Sequence, residues 1–340
     1  MSKKNSNVQN LKKIIEKNNL ISKIYLDFKI DLKELIRKKP FLVAVSGGPD
    51  SLALVALANT YKNEMKNKVS FVLVDHSIRK NSNKEANLVK SLLKKEGIYL
   101  DIVKNKEKIV SNVQNHARLI RYNLIANYCK KKKIKFILTG HHSDDQIETF
   151  LIRLSRGSGV QGLSSMNKIS TLTNNIKIIR PLLEFKKKDL SHIAKGSFGK
   201  VITDPSNRNK KYLRTKIRFL KKQLEKSGIH HNQIIRSIKN LASARDIINN
   251  HFTKVFKNCV IKKGKKIKVN LKRFLLESEE IQLKIIGSII KDLSKSYYPP
   301  RSVKILNLIN KIKDAKDVKY TLGKCVFNKL KDNLYIEKEV

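Results

Sequence analysis

The sequence predicts an α/β protein, built on a parallel sheet and followed by a smaller α+β domain. Three observations predict it. Short apolar runs rich in β-formers alternate with helical stretches from residue 41 to about 154. The first run ends in Ser-Gly-Gly-Pro-Asp-Ser, residues 46–51, where a strand gives way directly to an apolar helix. Past Arg218 the alternation stops, and long helices and short strands follow in a different order. The expected organisation is a helical arm over 1–35, an α/β domain over 36–225 and a small basic α+β domain over 226–340.

Phe41 to Val45 reads as a short buried strand. Leu52, Val55 and Ala58, with Leu54 and Leu57, read as a largely covered helix. Val69–Val74 is the second strand, Glu85–Lys95 a helix, Ile98–Val103 the third strand and Val113–Lys130 a long helix. Lys135–Thr139 is the fourth strand, followed by a helix over Ser143–Leu154. In such sheets ligands bind outside the carboxyl ends of the strands. Ser46–Ser51, Asp75 with His76, and His141 with His142 all fall at those ends. In the last third, helices are expected over Asn232–Phe256, Ser278–Leu293 and Ser302–Ile312, a strand over Lys266–Val269, and a hairpin at the end.

Lys plus Arg number 74 against 28 Asp plus Glu, a formal charge of +46 over 340 residues. Such a field attracts polyanions, nucleic acid above all. Runs such as Lys130–Lys133 and Lys186–Lys188 are equally read as solvated faces of a lysine-rich chain. Cys129, Cys259 and Cys325 are odd in number and far apart, which excludes a local disulfide framework or a Cys-x-x-Cys site. No apolar leader or membrane-length run is present. The expectation is a cytoplasmic protein with no membrane association.

Two clusters carry chemistry. Gly47 and Gly48 permit close backbone approach, Pro49 suits the first helical position, and Asp50 and Ser51 suit the first turn. The free amides of such a turn cradle an anion. The same residues also suit a plain, well-capped strand-to-helix turn. No lysine follows the glycines, unlike the common phosphate loop. An acid inside an anion site repels its ligand unless a divalent cation lies between them, which points to magnesium and a nucleoside triphosphate. In the second cluster, His141 and Asp145 are four residues apart and Asp145 and Glu148 three, so they share a helical face. Such a face binds a metal or grips an ammonium group. It also reads as the polar side of a capped helix, with Ser143, Asp144 and Asp145 at its start.

SGGPDS resembles the signature of the N-type ATP pyrophosphatases, whose fold is an adenine nucleotide α-hydrolase-like, Rossmann-like domain. VDHSIR (74–79), NVQNHARLIRY (112–122), GHHSDDQIET (140–149), RGSGVQGL (156–163), RPLL (180–183) and DPSN (204–207) narrow the match. In order and spacing they are similar to the tRNA(Ile)-lysidine synthetase family over about residues 38–220. The resemblance implies ATP-dependent joining of free L-lysine to carbon 2 of the wobble cytidine of tRNA(Ile) with a CAU anticodon, with AMP and pyrophosphate released. It implies that Ser46, Gly47, Gly48, Pro49, Asp50 and Ser51 bind ATP, with Asp50 holding Mg2+. Asp145 and Glu148 are expected to hold lysine, with His141 beside the reacting base. Arg118, Arg121, Arg214 and Arg218 are expected to contact tRNA or phosphate, and RGSGVQGL to form a mobile loop over the site. Residues 226–340 become a tRNA-binding domain. Thr215 and Lys216 stand where many members carry Asn and Arg. A homodimer is one reading of an oligomeric state the sequence leaves open. Within the superfamily, 2-thiolation of RNA is the rival activity, but it needs cysteines placed to carry sulfur or a cluster.

Overall fold

The structure is a computed structural model that describes residues 14–76, 81–105, 113–173, 175–199, 201, 213–264, 266–296, 299–314 and 318–339. The chain divides into two compact units, residues 1–239 and 240–340. The division was expected at 225/226. It falls fourteen residues later because helical packing on the first unit continues that far, as Ile234 and Ile238 join a cluster with Ile147, Leu151 and Ile217.

In the first unit α1 (Asn19–Leu35) is followed by β1 (Phe41–Val45), α2 (Pro49–Met65), β2 (Val69–Asp75), α3 (Ser82–Lys95), β3 (Leu100–Lys104) and α4 (Val113–Lys131). It goes on with β4 (Phe136–Leu138), α5 (Ser143–Leu154), α6 (Val160–Leu163), β5 (Ile169–Thr173), β6 (Ile176–Ile179), α7 (Lys187–Phe198) and α8 (Leu213–Lys226). The sheet order is β3-β2-β1-β4-β6-β5, with every pairing parallel except the β5–β6 edge. The α/β parallel-sheet class is therefore the observed one. The hairpin β5–β6 and helix α7 were absent from the sequence reading.

β1 shows why its residues form a central strand. Phe41, Val43 and Val45 enter one core with α1, α2 and α7, while Leu42 and Ala44 enter another with α4. A strand alternates its side chains, so only one apolar on both faces fits between two helical layers. α2 is buried continuously from Ser51 to Tyr61, as expected of a helix apolar all round. The expected N-terminal arm, where described, is part of this core. Ile21, Ile24, Tyr25, Phe28 and Leu32 of α1 are buried in it, and Phe28 meets Tyr61 edge-on at 6.2 Å. Asn18 caps α1, its side-chain oxygen accepting from Leu20 N at 3.0 Å and Ile21 N at 3.2 Å.

The second unit takes in most of α9 (His231–Cys259), then β7 (Val260–Lys263), β8 (Lys266–Asn270), α10 (Leu271–Leu275), α11 (Glu279–Ser294) and α12 (Ser302–Asp314). The strands β9 (Val318–Leu322), β10 (Cys325–Leu330) and β11 (Asn333–Lys338) complete it. Its antiparallel sheet runs β7-β8-β11-β10-β9. The expected terminal hairpin is a three-stranded meander, whose last strand pairs with β8. Among the described residues no helix is long and apolar enough to cross a membrane.

Candidate active site

The carboxyl ends of β1, β2 and β4 lie side by side, since Val45 pairs with Leu73 and Val43 with Leu138. The segments leaving those ends carry both clusters singled out in the sequence. Gly47 turns the chain at φ +83, and a Cβ there would fall 2.5 Å from Val89 Cγ2. Conformation and space thus both demand glycine. Gly48 caps α2 and Pro49 occupies its first turn. Ser51 closes the turn: its Oγ donates to Gly48 O at 3.0 Å and accepts from Ser46 N at 3.2 Å, with Ser46 Oγ at 3.1 Å.

Gly140, quoted within a motif but not singled out, joins the two clusters. A Cβ on it would lie 3.0 Å from Asp50 O, 3.1 Å from Asp50 C and 3.3 Å from Ser51 Cα. The backbone leaving β4 therefore runs directly against the start of α2. A glycine immediately after a buried strand was the available signal.

His142 follows, with 3% of its surface exposed. Its Nε2 lies 3.4 Å from Asp50 Oδ2 and 3.6 Å from Asp145 Oδ2, and its Nδ1 lies 3.8 Å from Asp144 Oδ2. Burial acts to lower its pKa, but the Asp50 contact and the Asp145 and Asp144 charges outweigh it and raise the value above 6.5. The structure makes His142 the bridge between Asp50 on α2 and the two acids that open α5.

His141 is partly buried, its Nδ1 2.9 Å from Thr139 Oγ1. Burial first, then the charges of Arg180, Arg118 and Arg214, lower its pKa to about 3, so its ring is neutral at physiological pH. Arg121 Nε donates to His76 Nε2 at 3.0 Å, and Arg118 stacks over Tyr122 at 5.1 Å. Arg121 and Arg214 are exposed. Arg218 is placed differently: its Nε donates to Glu148 Oε1 at 2.6 Å. Glu148 is only 5% exposed, so this guanidinium neutralises a buried carboxylate at the site. Thr215, one of the family departures, points inward and is buried, while Lys216 is exposed.

The glycine-rich segment after α5, expected as a mobile loop over the site, is braced by side chains of α5. Arg153 donates through one guanidinium nitrogen to Gly162 O at 2.6 Å and Ser165 O at 3.1 Å. Gln146 exchanges two hydrogen bonds with the Met166 backbone, at 2.7 and 2.9 Å. Parts of two quoted motifs, residues 77–79 and 112, and the whole of DPSN, 204–207, lie outside the described residues. Cys129, Cys259 and Cys325 are each buried, the first in the core behind the sheet and the others in the second unit.

A family model described as the PP-loop domain matches residues 18–224. That span starts just before α1, in keeping with its place in the core. A tRNA(Ile)-lysidine synthase of Wolbachia pipientis wMel is 38% identical over 305 residues, 87% of this chain and 70% of the relative. Another, from Wolbachia sp. subsp. Brugia malayi (strain TRS), is 34% identical over 302 residues, with 87% and 70% covered. Among solved structures, a U34-tRNA thiolase from Methanococcus maripaludis aligns with a TM-score of 0.55 at 20% identity, over 65% of this chain and 79% of that one. This last likeness is one of fold. With the PP-loop domain matched across the first unit and named relatives matched along most of the chain, this protein belongs to the tRNA(Ile)-lysidine synthase family.

Proposed function

We propose that the chain uses ATP to join free L-lysine to carbon 2 of the wobble cytidine of tRNA(Ile) with a CAU anticodon, in the cytoplasm. The observation that carries this reading is the contact of Gly140 on Asp50 and Ser51, with His142 facing both Asp50 and Asp145. It sets a triphosphate cradle beside two acids suited to an amine.

A cytosine carbonyl is a poor electrophile until its oxygen becomes a leaving group. The oxygen on carbon 2 attacks the α-phosphorus of ATP and pyrophosphate departs. The lysine amine then attacks carbon 2, and AMP leaves with the oxygen. Ser46, Gly47, Gly48, Pro49 and Ser51 line the turn whose amides receive the phosphates. Asp50 would hold magnesium. One of its carboxylate oxygens faces His142 and the other has no hydrogen-bond partner, so the group keeps capacity for a cation. Magnesium bound there supplies charge neutralisation to the triphosphate. Asp145 and Glu148 hold the lysine ammonium and receive the proton it sheds before attack. His141, held neutral, offers the cytidine a hydrogen-bonding group without adding positive charge. Arg118, Arg121 and Arg214 present guanidinium groups to the RNA backbone.

The test is incubation with labelled lysine, ATP and a tRNA panel. Label should enter only the CAU-anticodon isoleucine tRNA, with AMP and pyrophosphate formed in equal amounts. An Asp50→Ala chain should lose this activity by at least about a hundredfold. Release of orthophosphate in place of pyrophosphate, or full activity in Asp50→Ala, refutes the reading.

A further inference from the structure

Helix α8 brings two cations to α5. Arg218 goes to Glu148. Lys221, one turn further on, goes to Asp144, a residue to which the reaction assigns no part. Asp144 Oδ1 accepts from Lys221 Nζ, and Oδ2 accepts from the Lys187 backbone N–H at 3.0 Å. That Oδ2 lies 3.8 Å from His142 Nδ1. The nitrogen is enclosed and has no hydrogen-bond partner, so the Asp144 charge is what it faces. Across the ring, Nε2 faces Asp50 at 3.4 Å. Lys221 is itself held from behind by His231, whose Nδ1 is 3.3 Å from Nζ. An ammonium only donates, so Nδ1 accepts, and the Nε2–H is left to reach Ser143 Oγ at 3.2 Å.

We propose that Lys221 is a positioning residue for the acid of the nucleotide cradle: by fixing Asp144 it holds the His142 ring in the orientation that faces Asp50. The proposal rests on the reading of Asp50 as part of the ATP site. A plain surface ion pair is solvated and contributes little. Here both partners are 19% exposed, and the acid is anchored at each oxygen. Asp145 Oδ2 also lies 3.6 Å from Nε2, but it is held independently of the ring by the His142 backbone N–H at 3.1 Å. Disturbing Lys221 therefore affects Asp50 and the ATP side while sparing the lysine side.

The experiment uses the full chain with Lys221→Met, Lys221→Arg and Asp144→Asn. It reads the KM for ATP, the KM for lysine, and ATP affinity by calorimetry without tRNA or lysine. Lys221→Met and Asp144→Asn should raise both the KM for ATP and the Kd for ATP by about tenfold, the loss of one hydrogen bond to a charged group. The KM for lysine should stay within about twofold of the parent chain. Lys221→Arg keeps a donor for Asp144 and should restore the ATP constants to within about threefold. ATP constants unmoved in Lys221→Met and Asp144→Asn overturn the proposal. So do lysine and ATP constants that rise together, failure of Lys221→Arg to rescue, or failure of both Lys221→Met and Asp144→Asn to fold. Each of these marks a packing contact. An Asp50→Asn chain with the parental KM for ATP overturns the reading of the cradle itself. Lost activity in Asp50→Asn beside an indifferent Lys221→Met overturns only the part given to Lys221.

Discussion

Gly140 sits where even a methyl group would be crowded, and the neighbour it would press is backbone. The Asp50 carbonyl, 3.0 Å from the missing Cβ, cannot rotate away as a side-chain tip would. Gly140→Ala should therefore displace the start of α2, lowering stability by about 1–3 kcal/mol and ATP turnover with it. Urea unfolding and pyrophosphate release measure the two, and a fully stable, fully active alanine chain refutes the close approach. A second residue-scale prediction concerns Arg218. Its removal leaves the Glu148 carboxylate buried without its cation, at a cost of about 1–3 kcal/mol. Arg218→Ala should lose that much in urea unfolding and also raise the KM for lysine, since the carboxylate then loses the partner that fixes its position. His76 supplies a pH dependence. Burial first, then the Arg121 charge, lower its pKa from 6.5 to about 4, against the opposing charge of Asp75. The unfolded chain thus takes up the proton first as pH falls. The stabilisation is complete above pH 6.5 and drains away down to about pH 4. Unfolding midpoints across that window should fall less steeply in His76→Asn than in the parent chain.

At the scale of elements, the first strand, its turn and its helix were legible because three independent signals coincide in them. An apolar run of strand length, a Gly-Gly turn and a helix apolar on every side leave one arrangement open. β5 and β6 were not legible. Ser170, Thr171 and Thr173 give no apolar period, since β5 is an edge strand whose residues are all partly or fully exposed. Lysines mask α7, whose buried positions Leu190, Ile193, Ala194, Ser197 and Phe198 are spaced as a helix face. The candidate site was legible as two clusters at the carboxyl ends of one sheet, yet not as residues in direct contact. Their union depends on the β1–β4 pairing and on Gly140, and pairing across the sheet leaves no local mark in a sequence. The bracing of residues 156–165 escaped for the same reason, being made by a side chain from α5. Arg153→Met removes both hydrogen bonds that Arg153 gives to Gly162 O and Ser165 O. Hydrogen exchange of the amides in 156–165 should then quicken by about tenfold, while those of β1 stay as slow as before. Unchanged exchange in that segment would show that the brace carries no energy.

Across the whole molecule, the +46 charge and the buried site make separable demands on the ligands. Lysines and arginines spread along the chain attract a polyanion from a distance and release its counterions, so tRNA affinity should fall linearly with salt on logarithmic axes. With about six to ten phosphates neutralised, the loss between 50 and 200 mM salt amounts to roughly three to five powers of ten. In the proposed reading ATP and lysine meet groups that are largely screened from solvent ions, such as Glu148 and the Asp50–His142 pair. At saturating tRNA their KM values should move by less than about tenfold over the same range. Binding of an unrelated tRNA separates charge from choice. If the field supplies affinity and the anticodon contacts supply selection, the CAU tRNA and the unrelated tRNA share one slope and differ only in intercept. A tRNA affinity indifferent to salt would show that the lysines and arginines serve solubility alone, and RNA binding would then rest on uncharged contacts.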